Sequence, residues 1–158
     1  MQIPDIYNYL STSRKDENYT EKFLNCIKIL KEIILLERQN NIEKIFKLDY
    51  LKEEESTILK KINITNNKNL KILSDIFYSL TSVNPEKFNV KNLESNNFPY
   101  NLLISKSIFQ DLDLIEKYMY LLNYLPYKEQ KNDILFCIIS KNNNISLYNY
   151  LLTKLEKN

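Results

Sequence analysis

The sequence predicts an all-α protein made of stacked helical units. Three observations lead to this prediction. Apolar residues recur at helical spacing along nearly the whole chain, the two-residue alternation of a strand is nowhere sustained, and the helical pattern repeats at an offset of 42 to 43 residues. At 158 residues, the chain has the length of a single domain, which we place at residues 1–158.

The elements follow from the apolar positions in chain order. The clearest opening segment carries Phe23, Ile27, Leu30 and Ile34, which lie on one face of a helix. Further segments with helical spacing are Ile42–Leu51, Ile58–Ile62, Leu70–Leu80, Leu112–Leu125, Ile134–Ile138 and Leu147–Leu155. Together they predict about eight to ten helices, many of only 8 to 15 residues, joined by short connections.

Asn and Pro set the predicted boundaries, because the chain contains no Gly. Asn84-Pro85 reads as an N-cap followed by the first helical residue, where the fixed φ of Pro is favourable. Leu125-Pro126 ends one pattern and permits another. Asn66-Asn67 and Asn142–Asn144 are predicted to be turns, because Asn tolerates the left-handed conformation.

The internal repeat predicts an armadillo- or HEAT-like right-handed superhelix of about three repeats. At an offset of 42, the apolar positions of Leu70–Leu80 fall on those of Leu112–Leu122. A period of 40 to 47 residues is typical of such repeats, which stack to create a concave binding surface. We expect a short N-terminal segment at residues 1–18, followed by the repeats at 19–158.

Two tyrosines align within this repeat. Tyr78 and Tyr120 each follow a residue that we expect to be buried, Phe77 or Met119, and each falls on the polar side of its helix. They could form a row on the concave surface and anchor a partner, since Tyr is enriched at the centres of interfaces. The alternative is that both fill grooves between the repeats.

The composition argues against an enzyme. Without Gly there is no glycine-rich phosphate loop, and without His there is no imidazole base or His-activated nucleophile. We therefore expect no catalytic residues, no cofactor and no metal site. Asp111 and Asp113 are interpreted as charges at a helix N-terminus, and Glu53–Glu55 as a solvated helix end.

The net charge, the lack of a recognisable targeting segment and the cysteine positions predict the kind of partner and the cellular compartment. A net charge of +2 argues against nucleic acid as the partner, and neither a signal peptide nor a membrane-spanning stretch is recognisable. Cys26 and Cys137 fall among apolar residues at core spacing and are interpreted as reduced, buried thiols. These features favour a cytoplasmic protein that binds another protein.

Several short segments resemble the armadillo-type nucleotide-exchange factors of heat-shock protein 70. Ile6–Ser11 is similar to that family's N-terminal aromatic segment, and Asn40–Glu43 to the Asn-rich turn that opens its next helix. Ser82–Pro85 is similar to the segment that follows its core repeat helix, and Tyr120–Leu125 to a later helix. Tyr78 stands where the family has a helix glycine, and Pro126 where it has an Arg.

The resemblance implies a mechanism without catalytic groups. A concave surface would hold one lobe of the chaperone's nucleotide-binding domain in an open position, and binding to the open state would weaken ADP binding by linkage. The residues that the resemblance and the tyrosine alignment nominate for partner contact are Asn40, Asn41, Asp75, Tyr78, Ser82, Asn84, Tyr120, Asn123 and Tyr124.

Two other readings stay open at the level of sequence. One is a helical-repeat adaptor that binds a different complex, such as the ribosome or the transcription machinery. The other is a compact helical bundle that accepts a partner helix in a groove, as small viral immune modulators do.

Overall fold

The structure is a computed structural model that describes residues 15–45, 51–88 and 99–157. Within them, four long helices account for most of the chain: α1 (Lys15–Ile45), α2 (Glu53–Thr81), α3 (Tyr100–Leu122) and α4 (Lys128–Glu156). One short 3₁₀ turn, Pro85–Lys87, follows α2. The predicted all-α class is confirmed. The prediction of eight to ten short helices is wrong, since the described helices have 23 to 31 residues.

The helices are longer than predicted because several Asn clusters lie inside them. Asn66-Asn67 belongs to α2 and Asn142–Asn144 to α4, so neither is a turn. Asn40-Asn41, which resembles a turn opening a new helix, lies within α1. Asn66 and Asn144 are buried and hydrogen-bond to each other across the two helices. Their side chains therefore contribute to packing between helices and do not end a helix.

The boundaries at Ser82–Pro85 and at Pro126 are confirmed. Ser82 caps α2 in the left-handed conformation, with φ of 57°, and its backbone N–H bonds the Tyr78 carbonyl. Asn84 Oδ1 then accepts a hydrogen bond from the Glu86 N–H, so Asn84 caps the 3₁₀ turn that Pro85 begins. Pro126 lies between α3 and α4, where its ring prevents a continuous helix.

The four helices enclose a common core as a bundle. Around the bundle the order is α1, α2, α4, α3, so that α1 and α4 lie across one diagonal and α2 and α3 across the other. In α1 and α3, Glu32 pairs with Lys117, and Asn40 lies beside Lys106 further along, so these helices are antiparallel. In α2 and α4, Asn66 bonds Asn144 and Ser79 bonds Gln130, so they are antiparallel too. Since α3 and α4 form an antiparallel hairpin, α2 and α3 run in the same direction, and α2 ends at the opposite end of the bundle from the start of α3. The stack of three armadillo-like units is not confirmed.

The core consists of two apolar regions with a polar layer between them. The larger region joins all four helices around Leu30, Ile33, Leu73, Tyr118 and Leu121. The smaller region joins α2, α3 and α4 around Leu59, Ile62, Ile104, Tyr148 and Leu151. Between them lie fully buried polar side chains from each helix, which sequence patterning did not indicate.

The inward face of α3 differs from the predicted one. Met119 was expected to be buried beside Tyr120, but it is 58% exposed, and Leu112 is exposed as well. The buried positions in this part of α3 are Leu114, Tyr118 and Leu121, which recur at the spacing of one helix face. The prediction aligned this helix with α2 through the 42-residue repeat, and it therefore assigned the wrong face of α3 to the core.

Candidate functional site

The most unusual feature of the core is a charged layer to which every helix contributes one side chain. Glu37 of α1, Asn66 of α2, Asp111 of α3 and Lys141 of α4 are all completely buried. Burial of an ion in protein costs several kcal/mol unless partners surround it, so this layer demands a close set of contacts. We refer to these four residues as the central layer.

Lys141 supplies those contacts. Its ammonium donates three hydrogen bonds, one to each of the other helices: to Glu37 Oε2 at 2.8 Å, to Asn66 Oδ1 at 3.0 Å and to Asp111 Oδ1 at 3.2 Å. An ammonium group has three N–H donors, and each is used. Asn144 Nδ2 also donates to Asn66 Oδ1, at 2.9 Å. The layer thus connects four helices through one cation.

A tyrosine completes the surroundings of Glu37. The Tyr118 hydroxyl donates to Glu37 Oε1 at 2.5 Å, so each carboxylate oxygen of Glu37 has a donor. Burial, followed by the negative charge of Glu37, raises the pKa of Tyr118 well above its usual value. This favours the neutral form of Tyr118, which donates to Glu37.

This environment corrects the interpretation of Asp111. Asp111 and Asp113 were expected to lie at a helix N-terminus, but α3 begins at Tyr100 and both residues are in its interior. Asp111 faces the core and forms an ion pair with Lys141, whereas Asp113 is exposed. Two acids separated by two residues point in different directions on a helix, so this spacing alone was uninformative.

The two cysteines are free and buried, as predicted. Burial raises the pKa of Cys26 to about 11, and burial together with the Glu37 charge raises the pKa of Cys137 to about 12. Neither thiol is a nucleophile at neutral pH, because the reactive form is the thiolate.

A labelling experiment checks this. A thiol reagent at pH 7.5 is expected to modify both cysteines slowly in the native protein and rapidly in denaturant. Variants with Cys26→Ser or Cys137→Ser assign each rate to one thiol. Native labelling as fast as that of the unfolded chain, for either residue, would show that it is not part of a closed core.

The nine residues predicted to contact a partner fall into three separate places. Asn40 and Asn41 are buried in α1. Asn40 lines a groove of about 190 Å³ between α1 and α3, and Asn41 Nδ2 bonds Asn67 Oδ1 at 3.5 Å. A second group, at the end of α2 and in the turn after it, is exposed: Asp75, Tyr78, Ser82 and Asn84. The third group, at the end of α3, comprises Tyr120, Asn123 and Tyr124.

Tyr120 and Tyr124 form a pair. Their hydroxyl oxygens lie 2.8 Å apart and their ring centroids 5.1 Å apart, and the hydrogen bond with Tyr120 raises the pKa of Tyr124. Tyr78 and Tyr120 are both more than half exposed. However, they belong to α2 and α3, which lie on opposite corners of the bundle, so the structure does not bring them together in one row.

A different surface is more apolar, and the sequence prediction missed it. Leu112 and Met119 are two helical turns apart on the outside of α3, and Leu135 and Ile139 are one turn apart on the outside of the neighbouring α4. These four exposed residues define what we call the outer face of the α3–α4 hairpin: Leu112, Met119, Leu135 and Ile139. Phe109 and Phe136 are exposed on the same two helices but point to other sides of them.

A sequence signal for this face exists. Six consecutive residues, Ile134–Ile139, are apolar, and a helical run of that length covers the whole circumference of a helix. Only Ile134 and Cys137 in this run are fully buried, and Leu135, Phe136 and Ile139 are exposed.

No protein-family model matches the sequence, and comparisons with curated proteins and with solved structures gave no significant match. In the described part of the chain, no helix is both long enough and apolar enough to cross a membrane. The same residues include no group of three or more His, Cys, Asp and Glu side chains that could hold a metal ion.

Proposed function

We propose that this chain is a non-enzymatic, protein-binding helical bundle that docks its partner on the outer face of the α3–α4 hairpin. The observation that carries the proposal is the group of four large apolar side chains on this face, each 45% to 59% exposed. Exposed apolar side chains clustered in this way are typical of sites of protein contact. The shape of two adjacent antiparallel helices suits an amphipathic partner helix laid along their groove.

The charged layer does not compete with this proposal as an active site. Its ionised groups are completely buried, and its cation is fully hydrogen-bonded, so a substrate has no access to either. The buried thiols are held protonated. The free state of both cysteines supports a cytoplasmic setting for the protein, since thiols are kept reduced there.

The resemblance to exchange factors supplies a named candidate partner, the nucleotide-binding domain of heat-shock protein 70. That reading, and the armadillo-like superhelix of about three repeats, remain predictions. Four helices around one core favour the compact bundle over the stacked repeat. The exchange-factor and bundle readings differ in the surface they use, so variants can separate them.

A matched pair of substitutions tests the docking face. Met119→Lys places a charge on the outer face, whereas Ile64→Lys places one on α2, and the two native residues are equally exposed, at 58%. We expect Met119→Lys to weaken partner binding by about 2 kcal/mol or more, which is roughly thirtyfold, because an apolar contact would have to bury the new charge. Ile64→Lys should bind as the wild type does, and both variants should keep the wild-type melting temperature.

The measurement uses partners recovered from lysate of the source cell and, in parallel, purified heat-shock protein 70. Faster release of labelled ADP from the chaperone, lost in Tyr78→Ala and Tyr120→Ala but kept in Met119→Lys, would support the exchange factor and contradict our docking face. Partner binding that Met119→Lys abolishes and the tyrosine variants retain would support the face. If Ile64→Lys reduces binding as strongly as Met119→Lys, the location is wrong.

A further inference from the structure

The central layer follows a pattern known from a different class of helical bundle. Bundles that bind two iron or manganese ions in their core take one acid from each of two helices and an i, i+3 pair of ligands from each of the other two. Here α1 and α3 each provide one buried acid, Glu37 and Asp111. The other two helices each provide a buried polar pair at the same spacing: Asn66 and Asn69 on α2, and Lys141 and Asn144 on α4.

Here the Lys141 ammonium lies among these side chains. Three oxygen atoms from three helices surround it at 2.8 to 3.2 Å: two from carboxylates and one from an amide. Oxygen donors of these kinds are the ones that hard divalent cations such as Mn²⁺ prefer. A metal ion would need them about 1 Å closer, at 2.0 to 2.3 Å, within the reach of small side-chain shifts.

The net charge of the layer and an unpartnered amide beside it also favour a divalent cation. When ionised, Glu37 and Asp111 carry two negative charges against the single positive charge of Lys141, whereas a divalent ion balances both. In addition, Asn69 is completely buried one turn from Asn66 on the same face of α2, and neither polar atom of its side-chain amide has a hydrogen-bond partner. An unpartnered buried amide is costly, and it offers a further oxygen to this region of the core.

We propose that the central layer is a cation site of the carboxylate-bundle type that the protein fills with its own Lys141 ammonium. Shortening Lys141 empties the site, and the layer then binds one hard divalent ion. Glu37, Asp111 and the Asn66 carbonyl are its ligands from the protein, and water enters the space left by the lysine chain.

The experiment compares Mn²⁺ binding by the wild type, Lys141→Ala and Lys141→Met, using the loss of the free Mn²⁺ signal in electron paramagnetic resonance. We expect one equivalent of Mn²⁺ to bind Lys141→Ala and to raise its melting temperature. The wild type, whose ammonium occupies the site, and Lys141→Met, whose side chain fills the space, should bind none at millimolar Mn²⁺. Adding Asp111→Asn to Lys141→Ala should weaken binding at least tenfold.

Each possible result either supports or contradicts the proposed cation site. A folded Lys141→Ala that binds no Mn²⁺ at millimolar concentration overturns the proposal, and so does binding that Asp111→Asn leaves unchanged. If Lys141→Ala does not fold alone, it is refolded from urea with and without Mn²⁺ and followed by circular dichroism. Recovery of helix only with Mn²⁺ supports the site, and no recovery in either condition contradicts it. Mn²⁺ bound equally by the wild type would locate the metal elsewhere.

Discussion

Replacing Lys141 by Met is expected to lower the free energy of unfolding by about 3 to 5 kcal/mol, because it leaves Glu37 and Asp111 buried without their cation. The Met side chain fills much of the space that the Lys141 methylene chain occupies, so little of this loss comes from a cavity. For a chain of this length, we expect the melting temperature to fall by roughly 10 °C. Urea unfolding followed by circular dichroism measures the difference.

An exposed ion pair provides the control. Lys117 and Glu32 also lie 2.8 Å apart, but both side chains are in contact with solvent. Lys117→Met should therefore cost about 1 kcal/mol or less. A triple variant, Lys141→Met with Glu37→Gln and Asp111→Asn, should recover part of the stability, because no uncompensated charge stays buried. Equal losses for Lys117→Met and Lys141→Met would contradict the burial of the layer.

The second large effect is expected at Leu121. Leu121 is completely buried in the larger apolar region, whereas Leu112, on the same helix, is 47% exposed. Leu121→Ala should destabilise the protein by about 2 to 5 kcal/mol through lost burial and the cavity left behind. Leu112→Ala should cost about 0.5 kcal/mol or less, since nothing packs around its exposed half.

This pair of variants also distinguishes the two faces proposed for α3. The 42-residue repeat predicted that Leu112 and Met119 point inward, and the structure turns the helix so that Tyr118 and Leu121 do. Thermal unfolding of both Leu variants is sufficient as a measurement. A larger loss for Leu112→Ala than for Leu121→Ala would restore the face that the repeat predicted.

Helix content was predictable from the sequence, and helix length was not. Apolar spacing identified the segments around Leu30 and Leu73, and it is independent of what those segments pack against. Asn66-Asn67 and Asn142–Asn144 were assigned to turns because Asn usually favours them. In the bundle, Asn66 accepts hydrogen bonds from Lys141 and Asn144, and these tertiary contacts override the local preference.

The candidate sites were less predictable than the fold. A helical sequence shows which residues share a face, but not which face meets another helix when more than one is apolar, as in α4. The charged layer was missed for a related reason. Glu37 and Lys141 are 104 residues apart, and each by itself looks like an ordinary solvated charge. Only the three-dimensional arrangement shows that they meet.

The parallel course of α2 and α3 has a consequence for how the chain chooses among alternative topologies. The α1–α2 and α3–α4 hairpins could dock in more than one orientation while burying similar amounts of Leu and Ile, since apolar contacts are not directional. Lys141 removes that freedom. Its three N–H groups reach Glu37, Asn66 and Asp111 together only when the hairpins meet in one relative direction and register. A misdocked form that separated Lys141 from these partners would bury an unmatched charge, so the layer disfavours such forms against the observed arrangement of the four helices.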